Sequence, residues 1–134
     1  MEPVSTFSPA DPTRALTLRE REAIIAVLER GTNIRKLPIT TADRSRWLSQ
    51  VSHTLAGRSC ECGICPSVEL TDAQGHTPAT ANGRVVLQAE APGAVLHLFI
   101  DEDRLSHLEL APLAGDSITV FPASTDITTD LSTW

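Results

Sequence analysis

The chain predicts an α+β domain, with two N-terminal helices packed on one face of an antiparallel sheet of about five strands. Three observations carry this expectation. Apolar residues recur at helical spacing before Ser52, they alternate with polar ones from there to about Leu110, and only turn residues separate the alternating segments.

Residues 1–15 hold Pro3, Pro9 and Pro12 among Ser, Thr and Asp without periodicity, which makes them an irregular leader. Thr17 with Glu20 forms a capping box, Leu18, Ile24, Ile25, Val27 and Leu28 fall largely on one stripe, and Gly31 is a stop, so residues 18–30 are expected to be helical. After Pro38, Thr40 or Thr41 can cap a second helix over ADRSRWLSQV, with Trp47, Leu48 and Val51 as its apolar stripe. Trp47 is expected in the core, with ligand stacking as the alternative. Arg35, Lys36, Arg44 and Arg46 make this neighbourhood basic, a solvated helix face. Strands are expected near 53–59, 66–71, 84–90, 94–101 and 104–110, with TDAQGHTPATANG as the loop between the second and third. Pro92 and Gly93, then Asp101, Glu102 and Asp103, turn the last three strands into an antiparallel meander.

At 134 residues and 14.4 kDa the chain has the size of a single domain. The expected division is the leader 1–15, one α+β domain over 16–122 and a polar C-terminal tail 123–134 ending on Trp134, either a loose end or a small anchor. Hydrophobic content of 41%, charged content of 21% and a mean hydropathy of -0.04 argue against wholesale disorder. No run approaches the roughly 18 apolar residues that cross a bilayer, and the first residues lack a signal-peptide pattern, so no membrane association and a cytoplasmic location are expected. Three closely spaced cysteines fit reduced thiols better than a disulfide framework.

Charge is uneven. Up to residue 58 there are nine Lys or Arg against six Asp or Glu, and from 59 onwards two against eleven. An acidic, sheet-bearing half argues against nucleic acid, since phosphate neutralisation supplies most of that affinity. Solubility alone accounts for such acids, and a basic protein partner is the functional alternative.

Two stretches carry chemistry. In RSCECGICPSVEL, Cys60, Cys62 and Cys65 have the spacing C-x-C-x-x-C, in which the pair Cys62 and Cys65 has the knuckle spacing used for zinc or an iron-sulfur cluster. A structural zinc would need a fourth ligand, for which His53, His76, His97 and His107 are the histidines available. The competing reading is a tight turn, formed by Gly63 and Pro66, that buries the thiols as small apolar side chains. A redox or nucleophilic thiol is a third reading, without an evident cause for a lowered pKa between two strands.

The second stretch is VLHLFIDEDRLSHLEL. A three-residue loop Asp101–Asp103 would set Ile100 opposite Arg104 and His97 opposite His107, with Glu109 on the same face, a set able to bind a metal or move a proton. A four-residue loop would set His97 opposite Leu108 and separate the imidazoles. The acidic turn itself matches no calcium loop. No G-x-S-x-G, phosphate-binding glycine loop, H-E-x-x-H or deaminase pattern is present, which leans away from an enzyme.

With these motifs the chain resembles a group of small uncharacterised actinobacterial proteins that carry a C-x-C-G-C-P-S turn and a D-G-R-L-S-x-L-E hairpin. Gly57, Arg58, Cys60, Cys62, Gly63, Cys65, Pro66 and Ser67 match the first motif. Asp101, Arg104, Leu105, Ser106, Leu108 and Glu109 match the second. Ile64 is an insertion in the turn, and Asp103 stands where the group has glycine. The resemblance spans about Leu18 to Leu110 and implies a fold, not an activity.

The expected function is a non-enzymatic binding or regulatory module that contacts another protein through its acidic sheet side or its basic helical side. Two alternatives stand beside it. One is a metal-dependent or thiol enzyme using the cysteine turn or His97 and His107; the other is a structural or assembly component, virus-encoded in one version.

Overall fold

The computed structural model describes residues 13–35, 37–60, 65–78, 84–113 and 117–128. Among these the chain forms two α-helices, α1 (Leu18–Arg30) and α2 (Thr41–Leu48), and seven strands. The strands are β1 (Arg14–Ala15), β2 (Thr32–Asn33), β3 (Leu55–Ser59), β4 (Val68–Thr71), β5 (Val85–Ala91), β6 (Ala94–Asp101) and β7 (Arg104–Pro112). They make one antiparallel sheet in the order β1-β3-β4-β7-β6-β5-β2. No described helix is long and apolar enough to cross a membrane.

Helix α1 begins at the Thr17 box. The Glu20 amide donates to Thr17 Oγ1 at 3.1 Å and the Thr17 amide to Glu20 Oε1 at 2.8 Å. The buried Glu20 carboxylate also takes both Arg14 Nη atoms, at 2.9 and 2.8 Å, which ties the last residues of the expected leader to the helix N-terminus. The helix ends at Gly31, whose backbone is extended at φ -68 and ψ 156, and glycine fits there because a Cβ would stand 2.6 Å from the Val27 carbonyl oxygen. Helix α2 is capped by Thr40, with the Asp43 amide donating to Thr40 Oγ1 at 2.9 Å.

Strands β3 to β7 fall within two residues of the expected segments. The sheet nevertheless has seven strands, not about five. The two additional strands, β1 and β2, are two residues long and border α1 in sequence. Each adds to an edge: β1 pairs with Leu55 and Ala56 of β3, and β2 with Leu87 and Gln88 of β5. Two residues cannot show a period of two, so no alternation announces them. Strands β5, β6 and β7 form the expected meander, and β4 lies beside β7, giving Greek-key order. Gly93, at φ 74, completes the turn after Pro92.

The core lies between α1 and the sheet face bearing Leu87, Ala89, Leu96, Leu98, Ile100, Leu105, Leu108 and Leu110, all buried with Ile24, Val27 and Leu28. The described part of the C-terminal tail joins this layer. Ile127 is buried, as is Phe121 just ahead of the tail, Arg30 Nη1 donates to the Ser124 and Ile127 carbonyls, and Thr128 bridges Glu90 on the β5 edge. Trp134 lies outside the described residues.

Trp47 is 3% exposed, in the core as expected. Its indole N–H donates to Asp103 Oδ1 at 2.9 Å, docking α2 on the tip of the β6-β7 hairpin. Arg46 grips the same carboxylate through Nε at 2.6 Å and Nη2 at 2.9 Å, and Gln50 Nε2 donates to the Asp103 carbonyl at 2.8 Å.

Candidate functional site

Alternation along the strands places a second set of side chains on the sheet face away from α1: Val86, Gln88 and Glu90 of β5, His97 and Phe99 of β6, His107 and Glu109 of β7, and Glu69 of β4. These side chains are half-buried, and that of Glu109 is exposed, with no described helix over them. Val95 and Asp101 are the buried members of this face.

The β6-β7 turn differs from both loops expected from sequence. Asp101 pairs directly with Arg104, so the loop is the two residues Glu102 and Asp103, at φ 52 and 65. Both are left-handed, as a type I′ turn requires, without the Asn-Gly or Asp-Gly signal that normally marks one. Ser106 is then an extra residue in β7: Ile100 faces Leu105, while Phe99 faces His107. His97 therefore lies opposite Glu109, not His107, and the Phe99 ring stands edge-on to both imidazoles at 6.2 Å. The expected paired-histidine site does not form.

The bulge has its own anchor. Ser106 Oγ lies 2.7 Å from Asp101 Oδ2, and Arg84 reaches the same carboxylate through Nε at 2.8 Å and Nη2 at 3.0 Å, while its guanidinium lies 4.6 Å over the Phe99 ring. Burial disfavours the Asp101 charge, but the Arg84 and Ser106 hydrogen bonds outweigh it and hold the carboxyl below its ordinary pKa. Asp101 and Asp103 of the acidic turn are thus both engaged inside the fold, by Arg84 and Arg46.

Beside this face the cysteine turn joins β3 to β4. The Cys60 amide donates to the Ser67 carbonyl at 2.8 Å, and the Cys65 thiol lies 3.3 Å from Ser67 Oγ, which also accepts the Leu110 amide at 3.0 Å. A depression of about 540 Å³ brings Cys60, Cys65, Glu69, His107 and Glu109 to one rim. Of the four histidines only His107 shares that depression with the cysteines. His53 lies in a crevice with Asp72 and Arg104, His76 follows the Asp72 turn, and His97 bonds Gln88 Oε1 at 2.9 Å. Cys62 lies outside the described residues, and among those described no three His, Cys, Asp or Glu side chains converge as a metal-holding group.

Electrostatically the face is acidic with few cations. Arg58 lies 3.6 Å from Glu69, and His107 Nε2 3.9 Å from the same oxygen. Burial pushes the His97 imidazole below its ordinary pKa, against the opposing pull of Glu109. Two buried polar atoms lack a hydrogen-bond partner among the described residues, Glu90 Oε2 and His107 Nδ1, and both residues belong to this face. Sequence reasoning singled out His97, His107 and Glu109 here but not Glu69, Glu90, Gln88 or Phe99. The signal for these was the same alternation that located the strands.

Comparison of the chain with protein-family models, with curated proteins and with solved structures finds no match in any of the three.

Proposed function

We propose that this protein is a non-enzymatic binding module and that the open face of its sheet is the docking surface for another protein. One observation carries the reading: α1 and the described C-terminal segment gather on one face, while the other keeps aromatic, imidazole and carboxylate side chains half-exposed under no described helix. The helical side is a weaker candidate, because Arg14, Arg44 and Arg46 are engaged internally with Glu20, the Leu28 and Gly31 carbonyls, and Asp103. A photo-cross-linking residue at Glu109, compared with one at half-exposed Glu22 of α1, tests the reading in cells of the source organism. Protein adducts from position 109 and none from 22 are expected. Adducts from 22 alone would place docking on the helices and overturn it.

A second reading, a soft metal ion held by Cys60, Cys62 and Cys65, is favoured by the approach of His107 and Glu109 to that turn. Elemental analysis of protein purified without an affinity metal separates the two. About one zinc per chain, lost in Cys65→Ser, supports the metal turn, and substoichiometric metal removes it.

A further inference from the structure

The pairing registers fix where the carboxylates of the open face stand relative to one another. Glu69 of β4 is opposite His107 of β7. Glu109 lies two residues further along β7 and is opposite His97 of β6, which is opposite Gln88 of β5. Glu90 lies two residues further in the same direction. One strand step with a two-residue advance separates Glu69 from Glu109, and two strand steps with a further two-residue advance separate Glu109 from Glu90, so the three form a diagonal over four strands. With strands ~4.8 Å apart and ~3.4 Å per residue, successive members are about 8 and about 12 Å apart, Cα to Cα. Phe99, His107, His97 and Val95 flank this line.

We infer that the diagonal receives an extended segment of a partner protein carrying Lys or Arg at alternate positions, an inference that rests on the open face being the docking surface. An extended chain repeats its side chains on one side every ~6.8 Å, and the long stems of Lys and Arg take up the difference from the carboxylate spacing while packing on apolar surface. The charge balance of the face selects that sign. Its cations Arg58 and Arg84 already face Glu69 and Asp101, and Arg104, the other Lys or Arg beyond residue 58, is bonded to Asp72 at 3.0 Å. Glu109 is exposed and is the most accessible carboxylate of the diagonal, with Glu69 and Glu90 half-buried on either side of it.

Fluorescence anisotropy with three labelled dodecapeptides tests this: alternating Lys-Thr, alternating Glu-Thr, and a block of six Lys followed by six Thr. The alternating basic peptide should bind, the acidic one should not, and the block peptide should bind more weakly. Affinity should fall about threefold to fivefold in each of Glu109→Gln and Glu69→Gln, nearly multiplicatively in the double variant, and decline with salt. Circular dichroism melting of each variant confirms that the fold is kept. Equal binding of the acidic or block peptide, or binding unchanged in the double variant, overturns the inference. If no peptide binds while position 109 still cross-links to a protein, the basic-segment inference fails and the docking surface stands. If position 109 gives no adduct either, both fail.

Discussion

The indole N–H of Trp47 donates to the carboxylate of Asp103 at 2.9 Å, and Asp103 occupies a left-handed position at φ 65. This pair locks α2 to the tip of the β6-β7 hairpin. It also gives a physical reason for an aspartate at this left-handed position. Asp tolerates the left-handed region better than most residues, and its side chain supplies what glycine cannot, an acceptor for a buried donor.

Replacing Asp103 separates its two roles. Asp103→Ala removes the acceptor and puts a Cβ without local polar compensation at positive φ, and should destabilise the fold by about 2 kcal/mol. Asp103→Gly loses the acceptor but relieves the backbone, so it should cost less than Ala. Asp103→Asn keeps both the acceptor and the tolerance and should cost least of the three. Urea denaturation, read by Trp fluorescence and compared at constant slope, checks this order.

The buried Asp101 carboxylate depends on Arg84. Arg84→Met leaves an uncompensated charge and should cost about 3 kcal/mol, whereas Arg84→Met combined with Asp101→Asn should be more stable than Arg84→Met alone. The pH dependence follows from the sign of the shift. The folded-state pKa lies below the ordinary 3.8, so the unfolded chain takes up the proton first as pH falls, and stability present above about pH 4 is lost as pH falls through the lower folded value. Melting temperatures from pH 5 to 2 should therefore fall more shallowly in Asp101→Asn than in the parent protein.

His97 reports on the open face directly. Its imidazole should titrate below 6.5, because burial outweighs the attraction of Glu109. Glu109→Gln removes the attraction and should lower the midpoint further. The neutral ring is the one the fold favours, so His97 contributes a stability loss as pH falls from 6.5 through its lower folded value. The Hε1 resonance followed by NMR over pH 4 to 8 measures the midpoint in both proteins. An upward move on removing Glu109 would contradict the placement of the two side chains opposite each other.

Gly31→Ala tests the stop of α1. The backbone there is ordinary, at φ -68, so the penalty is steric: the added Cβ meets the Val27 carbonyl at 2.6 Å and Val27 Cγ1 at 2.9 Å. A loss of about 1–3 kcal/mol by thermal or urea melting is expected.

Local signals in the sequence carried the main elements. The Thr17 and Glu20 box with Gly31 marked both ends of α1, and alternation located β3 to β7, because each is a short-range property of consecutive side chains. What escaped was set at long range or by a single extra residue. The strands Arg14–Ala15 and Thr32–Asn33 exist only because β3 and β5 offer their edges. The bulge at Ser106 shifts His107 away from His97, and the Arg84 and Ser106 hydrogen bonds to Asp101 anchor it from outside the hairpin's own pattern. For the site, the cysteine turn and both open-face histidines were visible as motifs. The meeting of Cys60, Cys65 and His107 in one depression depends on β4 pairing with β7, which neither motif encodes.

Docking of partners on the open face of the sheet can be read residue by residue. Amide and side-chain shift mapping of isotopically labelled protein during titration with the alternating Lys-Thr peptide tests it most directly. Perturbations are expected at Glu69, Gln88, Glu90, His97, Phe99, His107 and Glu109, with the α1 residues Ala23, Ile24 and Val27 unmoved. Perturbations confined to α1 and α2, with the open face silent, would contradict it.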